Sequence, residues 1–400
     1  MKNSNLLVSD DAIFEIKSEQ DKQKVLTYIS ADEWISPYIY ECHALELPDA
    51  PLFFGQFKQD FMVEMPTGTY RVPPMENSDE ELSETARDTG LILVYPEKGH
   101  LVAKPTRYTA FTTMCARAGI SGSTICNSQK KPLLNVLPLA EKATWLSRGF
   151  SLHLAPCKIL YRDGKVSSML SAEYEVLPAD MAVPAFENRI KKDHPALELS
   201  AGMLSHEYLY LDYLLNNKEM EESFFYMLQD FGIKCDAIKA GVRFSTSDIG
   251  SSCMSAAPFY KIDDMVVRLG DPIVLSHERG HSIEQFIGKL GALGMLFKES
   301  EDAVEVLGNT EIKHPAGCFW HILDRNPALK AGSESIADAL DATYPAGCTA
   351  IDVFLSLNQI IQDRNNKRTL SPTQLINLSE TVAKLLLIDY TEYDKVWIED

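Results

Sequence analysis

The sequence has no run of eighteen apolar residues, so no helix able to cross a bilayer is predicted. None of its eight cysteines pairs with another at C-x-x-C spacing. They stand singly, which argues against a zinc ribbon or a disulfide scaffold. Positive charge is scarce. There are 38 Lys and Arg against 57 Asp and Glu, a formal net charge of −19 at pH 7. That balance excludes a protein that coats nucleic acid with its whole surface, but it leaves room for a local basic groove. No G-x-x-x-x-G-K-[ST], G-x-G-x-x-G or G-x-S-x-G string occurs, so nucleotide-loop and serine-hydrolase readings have no support. Residues 1–20 lack a basic region followed by an apolar one, and the expected compartment is a cytoplasm.

The chain has 400 residues, 45% hydrophobic and 24% charged, which suits one large folded domain or two ordinary ones. Its patterns predict an α+β fold: a mainly antiparallel sheet flanked by helices, with a helical C-terminal third. Residues 1–90 read as a mixed α/β segment that either stands alone or joins the main domain. Residues 91–270 read as the α+β core and 271–400 as a helical region. In the first part, 21–34 has helical spacing, whereas 36–47 and 51–65 alternate like strands. The acidic stretch 76–88 is the best candidate boundary, as a solvated helix or a connector. Hairpins are expected at Glu97-Lys98-Gly99 and at Asp163-Gly164. Thr106 is the expected N-cap of the helix that follows it. Further helices are expected at 132–147, 178–190, 217–232 and 376–390, with β-like runs at 238–247, 252–260 and 264–269.

One string names a chemistry. His277-Glu278-Arg279-Gly280-His281 spells H-E-x-x-H, which on a helix places both histidines on one face to share a zinc ion. Asp271 as N-cap and Pro272 in the first turn would start that helix. Glu278 would then be the general base and Glu301, twenty residues after His281, the third ligand, resembling the second-helix glutamate of thermolysin-like gluzincins. Arg279 is charged where those families are not, and Gly280 costs about 0.5–1 kcal/mol in a helix interior. The same residues also read as a plain helix N-terminus with two polar-face histidines.

Three pieces carry a wider likeness: YTAFTTMCARAGISGS (108–123), CKILYRDGKVSSMLSAEYEVLPADM (157–181) and AGVRFSTSDIGSSCMSAAPFYKI (240–262). Through them, residues 90–290 resemble the phage/plasmid-like proteins of domain-of-unknown-function family 932. Leu170, Ser171 and Tyr174 match one family pattern, and Gly241, Ser247 and Gly250 match another. Thr246 replaces the family's Asn, Asp248 its Glu, and MVVRLGD stands where a Cys-x-Asn-Gly is usual. The resemblance implies a mobile-element setting in a bacterial host cell, without implying a reaction.

Basic residues interleave with aromatics over the region expected to form the sheet, a mixture suited to single strands. Lys104, Arg107, Arg117, Lys130, Lys131, Arg148, Arg162, Lys165 and Arg243 stand among Tyr108, Trp145, Phe150 and Tyr161. A hydroxyl cluster, 245–252, reads either as a phosphate-holding loop or as a turn satisfied by its own side chains. The first functional reading is therefore a phage- or plasmid-associated protein that binds single-stranded nucleic acid in recombination or related DNA metabolism. Arg107, Arg148, Arg162, Lys165 and Arg243 would be its phosphate contacts. The second is a zinc-dependent hydrolase with His277, His281 and Glu301 as ligands and Glu278 as base. The third is an interaction module that engages a host protein through its acidic surface. A homo-oligomer is left open, and no membrane partner is expected.

Overall fold

Residues 6–7, 9–66, 68–120 and 139–397 are described by a computed structural model of the chain. The fold is α+β, with helices gathered toward the C-terminus. After the short strand β1 (Phe14–Ile16), Ser18 caps α1 (Glu19–Ile29) by accepting from the Asp21 amide. Strands β2 (Glu33–Ile35) and β3 (His43–Glu46) follow. The stretch 51–65, expected as one strand, begins instead as α2 (Pro51–Phe54) and a 3-10 turn, and only its end is β4 (Phe61–Met65), paired with β5 (Gly68–Val72). Phe54 and Phe57 are both buried. Their spacing of three puts them on one side of a helical turn but on opposite sides of a strand.

The acidic stretch is a helix, α3 (Asp79–Asp88), closed by a capping box of Ser78 and Glu81. Strands β6 (Leu91–Glu97) and β7 (His100–Pro105) form the expected hairpin, with Lys98 at φ +50° and Gly99 at φ +88°. Thr106 does not cap α4 (Tyr108–Arg117). It is buried, its hydroxyl donates to the Leu91 carbonyl at 3.0 Å, and Arg107 takes the N-cap position. Helix α5 (Leu139–Ser151) covers the described part of the helix expected at 132–147; residues 132–138 lie outside the described residues. Strands β8 (Cys157–Arg162) and β9 (Lys165–Ser171) turn at Asp163-Gly164. Next come α6 (Ala179–Asp193), β10 (Glu198–Leu204), β11 (Leu209–Leu214), α7 (Lys218–Asp230), β12 (Ile238–Thr246), β13 (Met254–Ile262), β14 (Met265–Arg268) and β15 (Ile273–Leu275). The remainder is mainly helical: α8 (Ile283–Lys289), α9 (Leu293–Gly308), α10 (Pro315–Arg325), α11 (Glu334–Thr343), α12 (Ala350–Asn366) and α13 (Pro372–Lys384). No helix among the described residues is long and apolar enough to cross a membrane.

The largest sheet is antiparallel in the order β1-β10-β11-β12-β13-β14, with β15 sharing the outer edge of β13. Two further sheets run β2-β8-β9 and β3-β6-β7. Strands of the first ninety residues thus pair with strands beyond them in all three sheets, and α3 lies between two paired strands, β3 and β6. Period-two alternation gives the large sheet two unlike faces. On one, Tyr213, Phe244 and Tyr260 pack against Phe186 of α6, Phe224 of α7, Phe286 of α8 and Phe297 of α9. The other carries Tyr210, Asp212, Arg243, Ser245, Ser255 and Arg268.

Gly241 sits on that second face, where a Cβ would come 2.2 Å from the Phe259 ring and 2.7 Å from the Tyr213 carbonyl oxygen. The backbone oxygen belongs to a neighbouring strand and cannot swing aside. Gly241→Ala is therefore expected to cost about 1–3 kcal/mol, read as a lower urea midpoint. An unchanged midpoint would show slack between these strands.

Candidate functional site

Four of the five arginines and lysines expected to contact phosphate lie inside the protein. Arg162 donates through Nε to Asp32 at 2.7 Å and through Nη2 to Asp248 at 2.8 Å. Arg243 holds Asp212 with two parallel bonds of 2.6 and 2.7 Å, and its guanidinium lies 4.5 Å from the centre of the Tyr210 ring. Arg107 pairs with Asp10, and Lys165 bonds Asp10 at 3.2 Å and Glu84 at 2.6 Å. All four are at most 5% exposed. Burial opposes the charge of Arg162 and Arg243, but Asp32 and Asp212 respectively outweigh it and hold both above the ordinary arginine value. Side chains so engaged are internal counter-ions, and the reading of these four as phosphate contacts is withdrawn. Arg148, on α5, is the exposed member of the five. Among the aromatics, Phe150 is fully buried and Tyr161 carries Lys104 at 4.6 Å above its ring. Lys130 and Lys131 lie outside the described residues.

The H-E-x-x-H string is not on a helix. Strand β15 ends at Leu275, Glu278 bridges Tyr174, and Arg279-Gly280 make a turn with Gly280 at φ +85°. The helix starts only at Ile283, capped by Ser282 and Gln285. His277 stacks on Tyr174 with ring centres 4.8 Å apart, and its Nδ1 bonds the Glu175 carbonyl at 3.0 Å. His281 turns its Nδ1 to the Ser276 carbonyl at 2.8 Å, and Glu301 accepts from the Tyr260 hydroxyl at 2.6 Å. No group of three His, Cys, Asp or Glu side chains suited to a metal gathers among the described residues. A helix would put two histidines four apart on one face, and no helix spans His277 and His281. The zinc ligand set of His277, His281 and Glu301, with Glu278 as base, is corrected accordingly.

The hydroxyl cluster forms the β12–β13 turn, with Ser247 and Ser251 hydroxyls 2.8 Å apart, Gly250 at φ +75° and Asp248 held by Arg162. Its far end, 251–253, forms one wall of a cleft of about 440 Å³ between the polar sheet face and α13. The cleft follows from the way β13 shares its edge. Residues 259–262 pair with β14 and 254–256 with β15, so 269–272 must bridge a gap in the ladder. Pro258, which has no N–H to offer, stands near this switch of partners, and Gly270 bends the chain at φ +61°.

Arg268 is the unusual feature of this cleft. Its residue is 3% exposed, and its Nε is buried without a hydrogen-bond partner. The facing carboxylate oxygen, Glu380 Oε1, stands 3.7 Å from Nη1, beyond hydrogen-bond distance. Strand register explains the contrast with Arg243. Arg243 stands opposite Asp212 on β11, whereas Arg268 stands opposite Phe259 on β13. Burial, and next the guanidinium of Arg243, press Arg268 below the ordinary arginine value, the reverse of Arg162 and Arg243. A guanidinium offers five N–H donors, and leaving even the Nε–H unmet inside a protein costs about 1–3 kcal/mol. Around it stand the hydroxyl-bearing Tyr208, Ser251, Ser252 and Ser255, while Asp271, Glu380 and Lys384 also line the space.

Arg268 is not among the residues that motif or composition singles out. The signal was there, because MVVRLGD places an arginine inside an apolar strand-like run where a surface strand would alternate. No protein-family model, no curated protein and no solved structure matches the chain.

Proposed function

We propose that the chain binds a small anion, a carboxylate or phosphate group, on Arg268 in the cleft beneath α13. The observation that carries this reading is a buried guanidinium with an unpartnered Nε and no carboxylate within hydrogen-bond distance. An oxyanion would satisfy the fork of donors bidentately; Ser251, Ser252 and Ser255 line the same space, their hydroxyls bonded to Ser247, the Cys253 carbonyl and Ser245. The nucleic-acid and host-protein readings rest on the likeness of residues 90–290 to the phage/plasmid-like family and on the acidic balance, and the cleft adds nothing to either.

The test is thermal or urea unfolding of the full chain with and without acetate, inorganic phosphate and sulfate, alongside Arg268→Met. At a hundredfold excess over Kd, a bound anion is expected to add about 2.7 kcal/mol of stability to the native chain. The Arg268→Met protein should show no such gain. If none of the three anions, a longer carboxylate or an amino acid stabilises the native chain more than it stabilises the variant, the proposal fails.

A further inference from the structure

We infer that the anion is one end of a zwitterion, an α-amino acid in its free form; this rests on the anion reading of Arg268. The first ground is the charge of the lining. Arg268 and Lys384 contribute two positive charges, and Asp271 and Glu380 two negative ones. A lone carboxylate would leave this neutral cleft with one uncompensated negative charge, a phosphate dianion with two, and a polyphosphate with more. A zwitterion leaves it balanced.

The second ground is the order of the charges by depth. The Arg268 side chain is 4% exposed and Glu380 is 37% exposed, while Asp271 lies at the solvent surface. Moving inward, a ligand meets Asp271 and Lys384, both exposed, then Glu380, and the guanidinium last. That order admits a molecule carboxylate-first, with its ammonium left beside Glu380 and Asp271. Glu380 thus does two things: it stands near Arg268 when the cleft is empty, and it accepts the ammonium when the ligand is in. Pro272, Val274 and Ile376 supply apolar wall for a small aliphatic side chain.

Calorimetric titration of the full chain separates the cases. Glycine, L-alanine and L-leucine are each compared with the acid that lacks the amine: acetate, propionate and 4-methylpentanoate. At least one amino acid is expected to bind tenfold or more tightly than its partner acid, and Arg268→Met should abolish both. Glu380→Gln then reads the geometry through opposite signs. It should weaken the amino acid by tenfold or more and tighten the plain carboxylate, because it removes a partner from the first and a repulsion from the second. If plain carboxylates bind as well as amino acids and Glu380→Gln tightens all of them, the zwitterion is overturned while the anion site stands. If neither set nor phosphate binds, both readings fall together.

Discussion

Arg162→Met and Arg268→Met are expected to move stability in opposite directions, although each removes a buried arginine. Arg162 bridges Asp32, which follows α1, and Asp248, in the β12–β13 turn; their side chains are 7% and 12% exposed. Removing the guanidinium leaves two carboxylates facing each other away from water. Breaking a buried pair in this way costs about 3–5 kcal/mol, and here two partners are stranded. Adding Asp32→Asn and Asp248→Asn to the variant should recover a large part of the loss. Arg268 has no partner to strand except Glu380, which is partly in water. Replacing it by methionine removes a buried charge whose carboxylate partner stands 3.7 Å away, so the ligand-free protein should be unchanged or more stable by about 1 kcal/mol. Urea unfolding of both variants at pH 7 decides this. Equal losses would mean that Arg268 is as well paired as Arg162, and the anion site would lose its basis.

That contrast also marks the limit of what the sequence shows. Local features were legible where short-range chemistry decides them. Glu97-Lys98-Gly99 and Asp163-Gly164 turn as expected because the glycines favour, and Asp163 tolerates, positive φ. The α+β class followed from the change of apolar period along the chain. Whether an arginine is a surface contact or an internal counter-ion was not legible. Arg162 meets Asp32 from 130 residues away and Asp248 from 86 residues away, and no local pattern announces either. The H-E-x-x-H string failed for a different reason, competition between two helix starts. Asp271-Pro272 offered one signal, but Ile273–Leu275 pairs with β13 as a strand. The true start is the Ser282–Gln285 capping box, five residues beyond His277, and Gly280 permits the turn between them. Arg268 was hidden because its lack of a partner is a fact of register, Phe259 standing where Asp212 stands for Arg243.

The network around Arg107 gives the second large effect, a loss of stability in acid that one histidine controls. His206, in the turn between β10 and β11, is 3% exposed, with Nε2 3.0 Å from both the Ser9 carbonyl oxygen and Arg107 Nη1. Burial, and then Arg107, depress its pKa to about 2, with Arg162 and Lys165 acting in the same sense. The neutral ring either donates to Ser9 or accepts from Arg107, whereas an added proton would place a fourth cation among three. Below the unfolded value of about 6.5 the unfolded chain takes up a proton that the folded one refuses, so stability falls as the pH is lowered. The slope is about 1.4 kcal/mol per pH unit, or about 3 kcal/mol between pH 6.5 and 4. His206→Gln keeps an amide donor and acceptor without a titrating group, and it should lose that part of the acid dependence. Urea midpoints of the two proteins at pH 7 and pH 4 measure the difference directly. Native and variant chains that weaken in parallel would show that the imidazole is protonated in the fold, with Asp10 and Glu84 then carrying its charge.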